Sequence, residues 1–197
     1  LVDRQRAADG SLLDRWKEAS MLRLALTLGG VLVLASSGIV EGHAVRPTAE
    51  AELKDTAGAV VGKATFTQLP DGVLIELKAS NLPPGEHGFH IHERAECHAS
   101  DFASAGGHFN PEGKAHGFKN PDGPHAGDLP NLTVRPDGTV DVSTLARRVT
   151  LGEGAHSLLK PGGTSLMIHA GPDDYMTDPA GNSGARIACG AITRLSR

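Results

Sequence analysis

The chain has 197 residues and is 39% hydrophobic, enough for one buried core with extensions around it. Its formal net charge is −4 and no basic run stands out, which excludes an electrostatic footprint for nucleic acid. Aromatics make up 4% while Gly (25) and Pro (12) are plentiful, so the core must come from Val, Leu, Ile and Ala, with many turns between elements.

Residues 1 to 20 are charged and precede Met21, the first plausible start; they read as an over-extended N-terminus and are set aside from the fold. Met21-Leu22-Arg23 is a short basic head, Leu24 to Leu34 an apolar run, and Gly42-His43-Ala44 a small-x-small cleavage pattern. Residues 21–44 therefore read as a secretory signal peptide cut near Ala44. The apolar run is about 11 residues against the ~20 a spanning helix needs, so no stable membrane anchor is expected after cleavage. The expected folded domain is 45–197, exported to the periplasm or the cell exterior. In that oxidising setting the two cysteines, Cys97 and Cys189, with no CxxC spacing, predict one disulfide.

From Glu50 the turn signals are regular. "AELKD", "AVVGKATFTQL" and "GVLIELKAS" read as strands, the last two joined across Pro70-Asp71-Gly72 as a hairpin. "NLTVR" and "TVDVSTLA" flank Pro136-Asp137-Gly138 in the same way. Alternation at 88–93, "TSLMIHA" at 164–170 and "ARIACGAI" at 185–192 complete about eight short strands, and no segment after the leader has helical periodicity. The prediction is an all-β sandwich or closed barrel. Residues 94–130 and 171–184 break the rhythm as two long loops rich in Gly, Pro, His and Asp, the kind that carry function.

The stretch "HGFHIHE" at 87–93 holds three of the ten histidines. On a strand His90 and His92 face one side while Ile91 faces the other, so the two imidazoles can reach one ion. The pair alone is a weak signal and reads more readily as two half-buried histidines. Downstream lie His108, His116, His125 and Asp128, and later His169 at the end of an apolar strand. Six histidines and a carboxylate exceed what one four-coordinate ion uses. Three His with one Asp make a closed zinc set, and an all-imidazole set suits copper.

"GFHIHE", "GGHFNP", the spacing of His108, His116, His125 and Asp128, "IHAGPDD" and "GNSGARIACGAI" resemble a copper/zinc superoxide dismutase of the secreted bacterial type. The resemblance runs from about Ala49 to Ile192, with six His, one Asp, one Arg and two Cys in register. It implies an eight-stranded Greek-key β-barrel with two long functional loops. It makes His90, His92 and His169 copper ligands and His108 the bridge to zinc, with His116, His125 and Asp128 completing the zinc set. Asp173 matches a carboxylate linking a copper histidine to a zinc histidine, with Asp174 as its neighbour in the motif. Arg186 matches a guanidinium beside the open copper face that draws in the superoxide anion. The implied reaction is alternate reduction and oxidation of copper, yielding dioxygen and hydrogen peroxide, with His108 carrying a proton.

His87 matches a structural position, and His98 and His156 have no motif partner. Asn131-Leu132-Thr133 fits a glycosylation tripeptide, which counts for little in a chain of bacterial type. The short spacing from His92 to Cys97 and the compact loop from His169 to Arg186 follow the bacterial members, so the animal enzyme's dimer contacts do not carry over; a homodimer stays open. The rival class is a non-enzymatic periplasmic copper/zinc binding protein on the same fold. Such a protein is expected to lose a copper ligand or the arginine, and neither is lost here.

Overall fold

The computed structural model describes residues 49–195. The expected leader and its cleavage point, residues 21–44, lie outside the described residues. Ten strands follow in chain order: β1 (Ala49–Asp55), β2 (Val60–Leu69), β3 (Gly72–Ala79), β4 (Gly85–His87), β5 (Phe89–His92), β6 (Leu132–Val134), β7 (Val140–Ala146), β8 (Ser165–His169), β9 (Arg186–Ala191) and β10 (Thr193–Arg194). A single 3-10 turn, Ala103–Ala105, interrupts them, and the described residues hold no α-helix.

The large sheet runs in the order β5-β8-β9-β1-β2-β3-β7, with β10 also on β1. Its neighbours are far apart in sequence, as in β1 beside β9 and β3 beside β7, and all pair antiparallel. A second ladder, β4 with β6, pairs His87 with Leu132. Because β4 runs into β5 and β6 turns into β7, this ladder joins the two edges of the large sheet. The result is a Greek-key β-barrel.

Period-two patterning explains which face is inside. In β3, Val73, Ile75 and Leu77 are buried while Glu76 and Lys78 face solvent. The same parity sends Leu53, Phe66, Phe89, Ile91, Leu166 and Ile168 into one core, each fully buried side chain contributing about 1.5–3 kcal/mol. The first expected hairpin forms as read, with Leu69 opposite Gly72. The second does not. Arg135 and Thr139 close a turn there (2.8 Å), but β6 pairs with β4 and β7 with β3. Pro136-Asp137-Gly138 is thus a corner between sheets, because Leu132 and Val134 on one side and Val140 on the other all enter the core.

Met167 has the opposite parity to Leu166 and Ile168. It joins Phe102, Ala105 and Cys189 in a small cluster outside the main core, with Cys97 packed against it. The Cys97–Cys189 disulfide forms there, its Cα atoms 5.6 Å apart, and fastens the loop after β5 to β9.

Candidate metal centre

Strand β5 ends the large sheet, so one of its edges is free for loop backbone. Phe109 donates to Ile91 O and Ile91 donates to Gly127 O, both at 2.8 Å. These bonds set His92 opposite His108 and His90 opposite Asp128 as isolated bridges. Two histidines on an outward strand face thereby meet two ligand-type residues from the 93–131 loop. The third strand contribution, His169, ends β8 at the point where its register with β9 shifts.

One ligand atom from each of His90, His92, His108 and His169 lies within 4.8 Å of the others. All four rings are buried. Their outward nitrogens are engaged: His90 Nε2 donates to Asp173 (2.8 Å), His92 Nδ1 to Gly106 O (3.0 Å) and His169 Nδ1 to Gly184 O (3.2 Å). A neutral imidazole that donates from one nitrogen presents a lone pair at the other. Those other atoms, His90 Nδ1, His92 Nε2 and His169 Nε2, together with His108 Nε2, have no hydrogen-bond partner among the described residues. Four partner-free lone-pair nitrogens converging in a buried site fit an all-imidazole metal site of the kind copper takes. Burial disfavours the charged imidazolium, pushing His90, His108 and His169 down to about 4 and His92 well below its usual value. Neutral rings are the form that binds metal.

The second set shares His108. Its Nδ1 lies 3.0 Å from Asp128 Oδ1, His116 Nδ1 lies 3.1 Å from the same oxygen, and His125 Nδ1 lies 3.4 Å from both Asp128 Oδ1 and His108 Nδ1. A tetrahedron of metal bonds of about 2.0–2.1 Å has edges of about 3.3–3.4 Å, so these spacings suit zinc. The proton arrangement points the same way. Ionised Asp173 only accepts, so His116 donates to it from Nε2 (3.0 Å), and its Nδ1 faces Asp128. Without metal a proton on that Nδ1 bridges it to the carboxylate; a metal ion displacing the proton would find a lone pair and a carboxylate oxygen side by side. Burial opposes charge on His116, but its hydrogen bonds to Asp128 and Asp173 win and hold it up at about 9. Burial would raise Asp128; the three histidine contacts and the Gly117 N–H outweigh it and keep the carboxylate far below its usual range.

Asp173 spans the two sets, from His90 to His116, with its two oxygens. Despite the desolvation of its buried carboxylate, those two bonds keep it ionised. Asp174 instead binds its own loop, accepting from Met176 N, Thr177 and Asn182. Gly181 (φ +61°) backs onto Asp173 so closely that a Cβ would collide with the carboxylate and with His116.

Arg186 starts β9 opposite His169. It is half-buried, its Nη1 donating to Phe102 O and its Nη2 to Gly106 O, both at 2.6 Å. Burial draws its pKa down, yet a guanidinium stays charged. Gly106 O also accepts from His92, so one carbonyl fixes the arginine and a ring of the four-histidine set together. Three residues on, Cys189 holds the same loop through Cys97.

Among the described residues the remaining histidines lie apart. His87 is buried, its ring nitrogens 2.8 Å from His169 O and Pro83 O, a scaffold role as expected. His98 is exposed, and His156 sits on Arg148 O (2.7 Å). Asn131 is not a free acceptor for a sugar: Oδ1 takes Asp173 N–H and Nδ2 donates to Asp173 O, both at 2.9 Å. This clamp on Asp173, and the carbonyls of Gly106 and Gly184, had no signal beyond loop position in the sequence.

The comparisons agree with this geometry. The family model described as copper/zinc superoxide dismutase (SODC) matches residues 60–192. A copper-zinc superoxide dismutase of Aquifex aeolicus is 52% identical over 87% of this chain and 99% of its own. The crystal structure of a SOD-like protein from Bacillus subtilis superposes with a TM-score of 0.71 at 46% identity, covering 72% of this chain and 96% of that one. The Cu/Zn superoxide dismutase from Brucella abortus gives 0.60 at 32% identity, covering 73% and 98%. With its barrel, its two histidine sets and these matches, the chain belongs to the copper/zinc superoxide dismutase family.

Proposed function

We propose that the domain converts superoxide to dioxygen and hydrogen peroxide, with copper held by His90, His92, His108 and His169 and zinc by His108, His116, His125 and Asp128. The observation that carries this reading is the set of four partner-free ring nitrogens joined, through His108, to the acceptor-rich cluster around Asp128. When bound, copper supplies a one-electron couple and zinc a fixed charge on the far side of His108.

The chain's own residues do the rest. Arg186 presents a fixed cation beside His169 and His92 and draws the superoxide anion to the copper face, where its fork orients the oxygen pair. The carbonyls of Gly106 and Gly184 hold His92 and His169 in the tautomer that offers Nε2. His108 Nε2 would hold one of the two protons needed for hydrogen peroxide while it is released from the copper ion, and give it up to the product before binding again. Two superoxide ions and two protons give one dioxygen and one hydrogen peroxide.

The setting is outside the cytoplasm. The disulfide is stable in an oxidising compartment, and residues 21–44 carry the leader that takes the chain there, leaving no membrane anchor once removed. The test is reconstitution: the chain is stripped of metal, reloaded with one copper and one zinc, and assayed for superoxide loss. Catalysis at a rate set by diffusion and salt is expected. Full loading without catalysis would leave the copper/zinc binding protein as the reading that stands.

A further inference from the structure

Each terminal histidine of the two sets donates its outward N–H to a named acceptor, save one. His90 and His116 use Asp173, His92 uses Gly106 O and His169 uses Gly184 O. His125 turns Nδ1 toward the zinc set, so its outward atom is Nε2, and that atom faces Asp178 Oδ1 at 3.9 Å. The same oxygen accepts the backbone N–H of His116 at 2.6 Å, across 62 residues of sequence. A carboxylate that grips the main chain of one ligand and fronts the ring of another lies where an orienting partner would.

The loop is shaped to present it. Asp174 accepts from Met176 N, Thr177 N, Thr177 Oγ1 and Asn182 Nδ2, tightening the turn that carries Asp178. Asp178 itself is 56% exposed and has no place in the ligand motif, which is why it passes as a solvated loop acid.

We propose that Asp178 is a positioning residue of the zinc half of the centre, orienting His125 through Nε2 and His116 through its main chain. With Asp173 and the Lys119 N–H to Tyr175 O bond, it also ties the 93–131 loop to the loop that leads into Arg186. The inference rests on the zinc reading of the His108, His116, His125 and Asp128 set.

The test is a Co²⁺ titration of the metal-free, disulfide-intact protein, read by visible absorption, for wild type, Asp178→Ala and Asp178→Asn. Zinc affinity is measured by competition, and melting of each metal-free form is recorded. Wild type is expected to bind one Co²⁺ with the intense bands of a tetrahedral site. If it does not, the zinc reading fails, and the proposal with it. Given that binding, Asp178→Ala is expected to weaken cobalt and zinc about 10–100-fold and to shift the bands. Asp178→Asn should fall between, because an amide oxygen still accepts from His116 N–H but carries no charge toward His125. Wild-type affinity and spectrum in Asp178→Ala, whether or not its metal-free melting temperature drops, would reduce Asp178 to a loop contact and overturn the inference while leaving the zinc reading intact.

Discussion

His90 and Asp173 are joined by a buried hydrogen bond of 2.8 Å between strand β5 and a loop 83 residues further along the chain. Asp173 spends its other oxygen on His116, so one carboxylate sets the orientation of a ring in each half of the centre. Replacing it with Ala frees both rings and removes the charge that keeps their Nε2 atoms protonated. Asp173→Ala is expected to weaken both copper and zinc about 10–100-fold, measured by competition dialysis with the two metals. Weakening of one metal alone would contradict the shared role.

The charge and the fork proposed for Arg186 separate on substitution. Arg186→Ala removes the charge, so the dismutation rate should fall about tenfold or more and lose most of its ionic-strength dependence, with metal content unchanged. Arg186→Lys keeps a cation but cannot fork across Phe102 O and Gly106 O, and should recover the salt dependence better than the rate. Rates across a salt series, with metal analysis of each variant, check this. Loss of copper in Arg186→Lys would mean that the arginine supports the metal rather than the substrate.

The disulfide ties the loop bearing Phe102 and Gly106 to the strand bearing Arg186. The double variant Cys97→Ser, Cys189→Ser should lose about 2–5 kcal/mol of stability, toward the upper end given the closed loop of 92 residues. Its rate should fall as well, because the loop no longer holds the guanidinium. Urea unfolding of the metal-loaded forms, beside the rate assay, tests both halves.

Protons compete with folding in the metal-free protein, and the signs differ. Unfolded histidines titrate near 6.5, while buried His90, His108 and His169 are pushed down to about 4. Between those values the unfolded state binds more protons, so stability is lost as pH falls from 6.5 to about 4. His116 is held up at about 9, so its contribution is complete below 6.5 and is lost as pH rises through 9. Metal-free stability should therefore peak near pH 6.5 and fall on both sides, more steeply on the acid side, where His92, also held down by burial, acts with those three. Melting temperature against pH checks this; a plateau from pH 4 to 9 would contradict it.

Much of this was legible in advance because alternation is a local signal. Val73, Ile75 and Leu77 announce β3, and the same pattern put His90 and His92 on one face. Strands of two or three residues, β4 and β10, carry too few positions to show a period. The corner at Pro136-Asp137-Gly138 read as a hairpin because turn chemistry does not say which sheet each flanking strand joins. The strand-free stretch 147–164 was not singled out, since it holds none of the ligand motif. Within the centre, residue type marks the candidate ligands, and the family resemblance divides them between the two sets. The groups that orient them carry no such mark: the carbonyls of Gly106 and Gly184 belong to any residue, and Asn131 resembles any loop asparagine until Asp173 is seen between its two polar atoms.

The most direct measurement is anomalous X-ray diffraction at the copper and zinc absorption edges from crystals of the doubly loaded protein. The account predicts one copper bonded to His90 Nδ1, His92 Nε2, His108 Nε2 and His169 Nε2. It predicts one zinc bonded to Nδ1 of His108, His116 and His125 and to Asp128. A single metal position, or two with His108 bonded to only one of them, would contradict it.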